Sequence, residues 1–456
     1  MYSRSAAKAQ NRYFKDIFAI AVPIIIQGMV FQLQTLINRA FLGNLKTEYL
    51  TAIGNATAPY QATLAAVTSA TIGLTILISR KAGAKDYGEV REHMDTSIFF
   101  NTLISFLLFF LWYFFSDFIF LLMGVTPRLI GYCDQYVKII GLYLLLFGTD
   151  ISIQAALQGM GKTKPIMYAG IYKVAMNIFL DWCLIFGNLG FPALGLTGAA
   201  IASSAANISS ALLLILYVCF SKKLRPAEGT RRSLRPKPKK YREAMRLGLP
   251  AGLEIAAWHI GNLFLVRLMN NLDDSAVGMY TLITVIESIT FLVSDGIGKG
   301  SLTLIGHKIG ENRMEESTKI ILQAALYNLV ILGVLTALYI IFANPILSLF
   351  CADRALVRAS VPYFIIICVS VLPKSVNVQA GCGIRAYGDT KWMLYTQIFG
   401  AVFVSVLAYF LVYVCGMDIT AVYITLLTDE IVRGVINSLY LCKKYSPARL
   451  KAAAIS

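Results

Sequence analysis

The sequence predicts an all-α polytopic membrane protein, with twelve transmembrane helices in two six-helix lobes related by a parallel pseudo-two-fold repeat. Three observations predict this fold. The composition is 57% hydrophobic and 14% charged, which is too apolar for a soluble chain of 456 residues. Long apolar runs follow one another along the chain. The chain also matches itself at a constant offset of 227 residues.

Twelve apolar runs supply the predicted helices. A hydrocarbon core about 30 Å thick needs a helix of about 20 residues. Such runs, numbered here as spans 1 to 12, occur near 17–42, 50–79, 95–122, 134–158, 165–187 and 194–221, and then near 244–270, 276–306, 316–343, 359–384, 392–415 and 419–442. Since each half holds an even number of spans, both halves enter the membrane from the same side, and the lobes are expected to face each other across a cleft.

The offset of 227 places landmark residues of one half on identical residues of the other. Coincident pairs are Pro23 and Pro250, Gly73 and Gly300, Lys81 and Lys308, and Gly161 and Gly388. We therefore predict an N-terminal six-helix lobe at 1–221, a basic cytoplasmic linker at 222–242, and a C-terminal six-helix lobe with a basic tail at 243–456. Pro23 and Pro250 each lack an amide hydrogen, so they are expected to bend their helices.

The uneven distribution of the +16 net charge predicts the orientation. The termini and even-numbered loops hold thirty lysine and arginine residues, whereas the odd-numbered loops hold four. By the positive-inside rule both termini are cytoplasmic. The basic linker at 222–242 is then expected to face anionic lipid, and nucleic-acid binding is not needed to explain the charge.

Motifs of soluble catalysis are absent from the sequence. There is no Walker A loop, no HExxH and no GxSxG, and the chain has only three histidines. The eight cysteines show no CxxC spacing, and the first apolar run is too long for a signal peptide. We expect a protein that is not an enzyme, needs no cofactor and does not hydrolyse ATP itself.

Ionisable residues within the second-half spans form the first candidate site. Counting about 1.5 Å of rise per residue places four of them near mid-bilayer, and another lies in span 12. The candidates are Glu254, Asp295, Lys299, Lys374 and Arg433. Because an ionisable side chain in a span normally faces a cavity or a partner, we expect one network that contacts substrate or the coupling ion. The alternative is a set of buried pairs, Asp295–Lys299 and Glu254–Lys374, that only neutralise each other.

The first half carries a smaller polar set. On span 5, Lys173, Asn177 and Asp181 are spaced four residues apart and share one helix face. On span 4, Asp150 lies at the depth of Lys173, which predicts an ion pair between them. Asp181 would then be an unpaired carboxylate available to a cation or proton, near the depth of Asn38 on span 1. The alternative is that Asn38 and the backbone satisfy Asp181.

Several motifs together resemble the multidrug and toxic compound extrusion (MATE) transporters, and especially their DinF-like bacterial branch. They are VPIIIQ at 22–27, LISRKAGAKDYGEV at 77–90 with its echo LIGHKIGENR at 304–313, QGMGKTKP at 158–165 with its echo IRAYGDTK at 384–391, NIFLD at 177–181 and GLTGAAIAS at 195–203. The resemblance covers essentially the whole chain. It implies a multi-pass protein of the bacterial cytoplasmic membrane that exports organic compounds in exchange for H⁺ or Na⁺.

The resemblance also implies site residues. Asn177, Asp181, Gln154 and Ser203 match the branch's first-lobe cation site in kind, whereas Asn38 stands where the branch usually has an aspartate. One carboxylate in place of two leaves the coupling ion open between H⁺ and Na⁺. In another branch, spans 7 and 10 carry acids in the second lobe. Here the span-10 position is Lys374, and the span-7 acid is displaced by one turn to Glu254.

These observations predict a secondary antiporter that works by alternating access. We expect a monomer in contact with membrane lipid and a small organic substrate, without nucleic acid and without a bound metal other than transported Na⁺. The alternative within transport is a flippase or exporter of a lipid-linked or anionic metabolite, in which Lys299, Lys374 and Arg433 would contact the anion. An intramembrane enzyme would need a nucleophile–base or metal constellation, and the sequence shows none.

Overall fold

The computed structural model describes residues 2–43, 47–221, 236–272, 276–351 and 353–446. Within these ranges the fold is all α, with fourteen α-helices, one short 3₁₀ turn and one π-helical segment. Most of the predicted basic linker, at 222–235, and the end of the predicted tail, at 447–456, lie outside the described residues.

Seven helices form the first half of the chain. They are α1 (Tyr2–Gly43), α2 (Thr47–Gly83), α3 (Tyr87–Leu122), α4 (Pro127–Gly141), α5 (Leu144–Gly159), α6 (Lys164–Phe186) and α7 (Leu196–Phe220). Predicted span 4 is divided between α4 and α5, which meet at 51°. At this break the amides of Leu142 and Tyr143 bond to carbonyls three residues earlier, at Ile139 and Ile140, so the last turn of α4 tightens and the axis changes direction.

Seven further helices form the second half. They are α8 (Pro238–Asn270), α9 (Ala276–Gly310), α10 (Met314–Ile341), α11 (Ala343–Phe350), α12 (Arg354–Ala386), α13 (Thr390–Tyr409) and α14 (Thr420–Lys444). The π-helical segment Phe410–Val414 extends α13. Predicted linker residues 238–242 are helical, because they form the beginning of α8.

The described helices fit the predicted spans. Nine are long and apolar enough to cross a membrane, and two bent pairs, Thr51–Ala65 with Val67–Gly83 and α4 with α5, bring the count to eleven. The twelfth predicted span corresponds to α14, which is 25 residues long and carries Asp429, Glu430 and Arg433 in its middle. These charges lower its hydropathy without shortening the helix.

The backbone repeats with the same offset as the sequence. Lys85 and Asn312, which are 227 residues apart, both take a left-handed conformation, with φ of 59° and 58°. Gly161 and Gly388 do the same, with φ of 73° and 79°. Because few residues adopt positive φ, the coincidence shows that the turns after α2 and α9, and after α5 and α12, are built in the same way.

The chain forms two compact units, called here the N unit (residues 26–249) and the C unit (residues 1–25 and 250–456). The start of α8 therefore belongs to the N unit and the start of α1 to the C unit. Glycines allow the start of α8 to pack closely against α2 in the N unit. A Cβ on Gly73 would lie 1.9 Å from the carbonyl oxygen of Ala244, and a Cβ on Gly248 would lie 2.0 Å from the carbonyl oxygen of Ser69. Only glycine permits the close crossing of α2 and α8.

The C unit makes the matching contact between α1 and α9. A Cβ on Gly300 would lie 2.9 Å from the carbonyl oxygen of Ile17, and Gly300 and Ile17 are the repeat-mates of Gly73 and Ala244. Pro23 and Pro250 lie inside α1 and α8, close to the residues where each helix passes from one unit to the other. Their predicted role as bends stays a prediction.

Candidate functional site

The N unit contains a polar cluster built by three helices. Asn177 and Asp181 are one turn apart on α6, Gln34 and Asn38 are one turn apart on α1, and Ser203 lies on α7. The four-residue spacing puts each pair on one helix face. Asn177 and Asp181 are fully buried. We call these five residues the Asp181 site.

Two amides hold one oxygen of the Asp181 carboxylate. The two ends of an amide differ in whether they donate or accept, so its orientation follows from its neighbours. With both nitrogens turned to the carboxylate, Asn38 donates to Asp181 Oδ2 over 2.9 Å and Asn177 donates to it over 3.2 Å. The oxygen of Asn177 then accepts from the backbone amide of Ser203 over 3.2 Å. The Asp181 site thus stabilises a carboxylate with neutral donors.

One oxygen in the Asp181 site has no hydrogen-bond partner among the described residues. It is Asp181 Oδ1, and this atom is buried. The turned nitrogen of Asn177 also faces the Gln34 amide, which accepts from it through Oε1. A buried unsatisfied acceptor costs about 1–3 kcal/mol, so Asp181 Oδ1 favours an ion or a proton beside it.

Sequence reasoning missed Gln34. The signal that could have found it is its position four residues before Asn38 on the same face of span 1. Oxygen ligands of this kind suit hard cations. In the described part of the chain, no group of three or more histidine, cysteine or acidic side chains is arranged to hold a metal ion.

Gln154 and Asp150 lie in a second arrangement within the N unit. Asp150 accepts from the hydroxyl of Tyr143 and from Gln154 Nε2, the latter over 3.0 Å. Gln154, predicted beside Asp181, is therefore engaged with Asp150. Among the described residues no ion pair joins Lys173 to Asp150; Lys173 Nζ lies 5.2 Å from the ring centroid of Phe31. Asp150 is held by two neutral donors in place of the predicted ion pair.

The C unit contains four ion pairs that each include at least one residue of the predicted network. The pairs are Glu254 with Arg385 at 2.5 Å, Glu287 with Lys374 at 2.6 Å, Asp295 with Lys299 at 2.7 Å and Asp429 with Arg433 at 2.5 Å. Glu430 adds a fifth acid, 3.3 Å from Arg433. Every predicted C-unit candidate is thus present in this set, each in direct contact with a partner of opposite charge; whether they act as one network stays a prediction.

The predicted partnership of Glu254 with Lys374 is not formed, and two residues that sequence reasoning missed explain why. Arg385 lies just past residue 384, where predicted span 10 ends, but α12 continues to Ala386 and places Arg385 beside Glu254. Glu287 lies on α9 at an eight-residue distance from Asp295, and so on the same face. The sequence could have shown Glu287 as a further candidate from that eight-residue spacing. The Asp295–Lys299 pair is formed as predicted, one turn apart on α9.

Arg433 has the most complete set of partners. Its Nε lies 2.9 Å from each oxygen of Asp429, and its Nη1 donates to Gln397 Oε1 over 2.8 Å. Gly400 makes room for it, because a Cβ there would lie 2.7 Å from Arg433 Cδ. Such a fork-like contact fixes the guanidinium and leaves few donors free.

A family model described as MatE matches residues 23–183 and 250–410. The two matched segments are themselves 227 residues apart, which is the offset found in the sequence and in the backbone. Together with twelve predicted spans and the buried ionisable residues, this match defines the class: the chain belongs to the MATE family of membrane transporters.

Known relatives agree with this placement. The "Probable multidrug resistance protein NorM" of Thermotoga maritima is 24% identical over 76% of this chain and 74% of its own length. The "Uncharacterized transporter YisQ" of Bacillus subtilis is 22% identical over 95% of both chains. The "Multidrug resistance protein NorM" of Vibrio cholerae is 27% identical, and the match covers 62% of this chain and 60% of that protein.

Solved structures show the same fold. An outward-facing multidrug resistance MATE transporter of the MOP superfamily has a TM-score of 0.88 at 20% identity, with 96% of both chains covered. A MOP superfamily transporter from Pyrococcus furiosus, described as having a binding pocket of reversed polarity that suggests a different function, has a TM-score of 0.87 at 19% identity, again with 96% of both chains covered. At these identities the likeness establishes the fold alone.

Proposed function

We propose that this protein is a secondary antiporter that exports organic compounds across the cytoplasmic membrane in exchange for H⁺ or Na⁺. Export would proceed by alternating access, with both termini in the cytoplasm. Relatives named as multidrug resistance proteins support the export of organic compounds. The proposal requires no cofactor and no partner chain, and it includes the DinF-like branch assignment.

The observation that carries the proposal is the buried Asp181 carboxylate with one unpartnered oxygen. No described lysine or arginine forms an ion pair with it, and Asn38 and Asn177 donate to its other oxygen only. An ionised carboxylate in this setting is expensive in a low-dielectric medium. Binding a proton or a Na⁺ at the unpartnered oxygen removes that cost, so loading of the site is linked to burial of the charge.

The C unit supports an organic cation as substrate more than an anion. The four cationic side chains of its ion-pair cluster each have an acidic partner, and Glu430 is an additional acid, so the cluster holds five acids against four cations. The Asp295–Lys299 pair is the most open, with 30% of the Asp295 side chain and 41% of the Lys299 side chain exposed. A cationic substrate would compete with Lys299 for Asp295, whereas an anion would meet cations that are already neutralised.

Transport in proteoliposomes with the Na⁺ and pH gradients imposed separately tests the proposal. The fluorescent organic cation ethidium serves as the probe. We expect ethidium to move against its own gradient when one of the two ion gradients is present, and the effective gradient identifies the coupling ion. Ethidium movement that ignores both gradients would contradict antiport. Movement of labelled lipid in place of ethidium would favour the flippase alternative.

A further inference from the structure

The start of α8 is held on the start of α3 by two lysines and two glutamates. Lys240 Nζ lies 2.7 Å from Glu89 Oε1 and also contacts Glu92. Lys237, directly before α8, places its Nζ 2.8 Å from both oxygens of Glu92. We call these four residues the α3–α8 clasp. They belong to the N unit and precede predicted spans 3 and 7, so they lie outside the predicted hydrocarbon core.

A buried histidine lies beside this clasp. The His93 side chain is 2% exposed, and its Nε2 lies 3.6 Å from Oε2 of Glu89, one turn earlier on α3. Among the described residues, the charged groups that face it are two acids and two lysines: Glu89 on α3, Lys81 on α2, and Lys240 and Glu243 on α8. A neutral imidazole leaves these charges balanced. An imidazolium would add a buried positive charge and compete with Lys240 for Glu89.

His93 can change its charge at a pH at which the clasp glutamates cannot. Burial, followed by the nearby Lys240, lowers the pKa of His93 from the value of about 6.5 that is usual for histidine. Hydrogen bonds from Lys237 and Lys240 lower the pKa of Glu92 to about 2, and the bond from Lys240 also lowers the pKa of Glu89. Both glutamates therefore stay ionised in mildly acidic solution.

Opening of the clasp changes the affinity of His93 for a proton. While the clasp is closed, burial and the charge of Lys240 disfavour the imidazolium. Once Lys240 moves away and water reaches the ring, the imidazole regains its ordinary affinity. Protons therefore bind more tightly to the open form, and a falling pH shifts the equilibrium towards opening.

The C unit has the corresponding contact without a histidine. The repeat-mate of Lys240 is Tyr13 on α1, and its hydroxyl donates over 2.9 Å to Glu316 on α10, the mate of the first clasp glutamate. The mate of His93 is Ile320, which is fully buried. An apolar side chain thus fills the same place in the scaffold, so packing alone does not require a histidine in the N unit.

We propose that His93 is a pH sensor that opens the α3–α8 clasp when the side of the membrane bearing the clasp, which the charge pattern predicts to be cytoplasmic, becomes mildly acidic. Tyr241 limits the movement, because it stacks on Phe100 with centroids 4.7 Å apart and donates to Asn101 over 2.9 Å, and neither contact involves a charge. The opening is therefore confined to the chain before Tyr241. The sensor does not involve Asp181, so this inference goes beyond the proposed antiport.

Amide hydrogen exchange of the purified full-length protein in detergent, read by mass spectrometry at about pH 8 and about pH 5.5, tests the sensor. Rates are divided by those of an unstructured peptide at the same pH, which leaves the equilibrium constant for opening. We expect that constant for residues 237–243 to rise at least about threefold at the lower pH in the wild type. His93→Ile, which copies the C unit, should abolish the rise. Residues 13–19, at the corresponding C-unit contact, should show no rise in either protein.

The matched control is His307→Asn, which removes a histidine of the C unit and should keep the full response of residues 237–243. If His93→Ile does not yield a folded protein, His93→Gln makes the same prediction, since it is polar but uncharged at both pH values. A wild type without the rise would overturn the proposal, and so would a rise that persists in the His93 variants or that residues 13–19 share. A failure of ion coupling in proteoliposomes would leave these exchange rates unchanged.

Discussion

In the N unit the buried Asp181 carboxylate is held by amides and keeps one oxygen unpartnered, whereas in the C unit four acids each have a cation within 2.7 Å. The repeat-mates of the two sites make this contrast sharper. Asn38, Asn177 and Asp181 correspond to Leu265, Val404 and Ala408, and all three of these are buried in the hydrophobic core of the C unit.

Polar residues of the C unit likewise correspond to apolar residues of the N unit. Glu287 and Lys374 of the C unit correspond to Tyr60 and Phe147, which are buried in the hydrophobic core of the N unit. One backbone plan therefore accepts either an apolar core or a polar site at the same place. What the repeat keeps is the turn geometry and the glycine crossings; what it changes is the chemistry. Residues that break the repeat are accordingly the best guide to function.

The largest expected effect concerns Asp181, the acid without a cation. Asp181→Asn keeps the shape of the side chain but removes the charge that a proton or Na⁺ would neutralise. We expect loss of gradient-driven ethidium efflux in proteoliposomes, with expression and gel-filtration profile unchanged. The matched variant is Asp150→Asn, which changes a buried acid already satisfied by Tyr143 and Gln154 and should lower efflux less. Efflux by Asp181→Asn that still follows the gradient would remove Asp181 from the coupling mechanism.

The next effect tests whether the C-unit charges act as separate pairs. Lys374→Met leaves the largely buried Glu287 side chain, which is 16% exposed, without a cation, which should cost up to roughly 3–5 kcal/mol of stability. Adding Glu287→Gln should restore much of it. Adding Glu254→Gln instead should give no rescue, because Glu254 is paired with Arg385. Thermal unfolding in detergent, analysed as a double-mutant cycle, measures both couplings.

Coupling between Lys374 and Glu254 in place of Glu287 would restore the single network that the sequence predicts. If the rescued Lys374/Glu287 variant regains stability and also transports ethidium, this pair is part of the scaffold. If it regains stability alone, the pair contacts substrate or the coupling ion.

Sequence patterns predicted the spans because hydrophobic length is a local property, and the N-unit face of α6 because a spacing of four residues is local too. The same spacing predicted the Asp295–Lys299 pair within α9, but the C-unit partnerships between different helices were not predictable in this way. Which side chains meet depends on how far each helix extends and how it is rotated against its neighbours. Arg385 shows this: the apolar run ends at residue 384, yet the helix carries on to Ala386 and keeps the guanidinium beside Glu254.

A substitution at Asn38 adds a carboxylate to the Asp181 site, whereas Asp181→Asn removes one, and its expected effect is smaller. Asn38→Asp adds a second carboxylate beside Asp181, and the extra Coulomb attraction should tighten Na⁺ binding by about tenfold. Na⁺-dependent thermal shift measures it. Gln154→Glu is the matched control, since the structure places Gln154 against Asp150 and predicts no gain there. A gain with Gln154→Glu would return that residue to the cation site, and no change with Asn38→Asp would mean that Asn38 does not face the ion.

The smallest effect concerns a hydrogen bond that one unit has and the other lacks. In the N unit, Tyr241 donates to the buried Asn101 Oδ1 over 2.9 Å. In the C unit the mates are Phe14 and Asn328, and Asn328 Oδ1 is buried without a partner among the described residues. Phe14 contacts Tyr327, the repeat-mate of the Phe100 that Tyr241 contacts, but it does so edge-to-face at 83°, whereas Tyr241 stacks on Phe100 at 28°.

Two separate substitutions, Phe14→Tyr and Tyr241→Phe, should change stability in opposite directions. Phe14→Tyr supplies the missing hydroxyl and should stabilise the protein by about 0.5–1.5 kcal/mol, whereas Tyr241→Phe leaves Asn101 unsatisfied and should cost about 1–3 kcal/mol. Thermal unfolding in detergent measures both. Phe18→Tyr is the control, because it adds a hydroxyl one turn further along α1, beside the same Tyr327 ring. An equal gain from Phe18→Tyr would show that the hydroxyl stabilises α1 without reaching Asn328. The C unit could then not form the counterpart of the hydrogen bond between Tyr241 and Asn101.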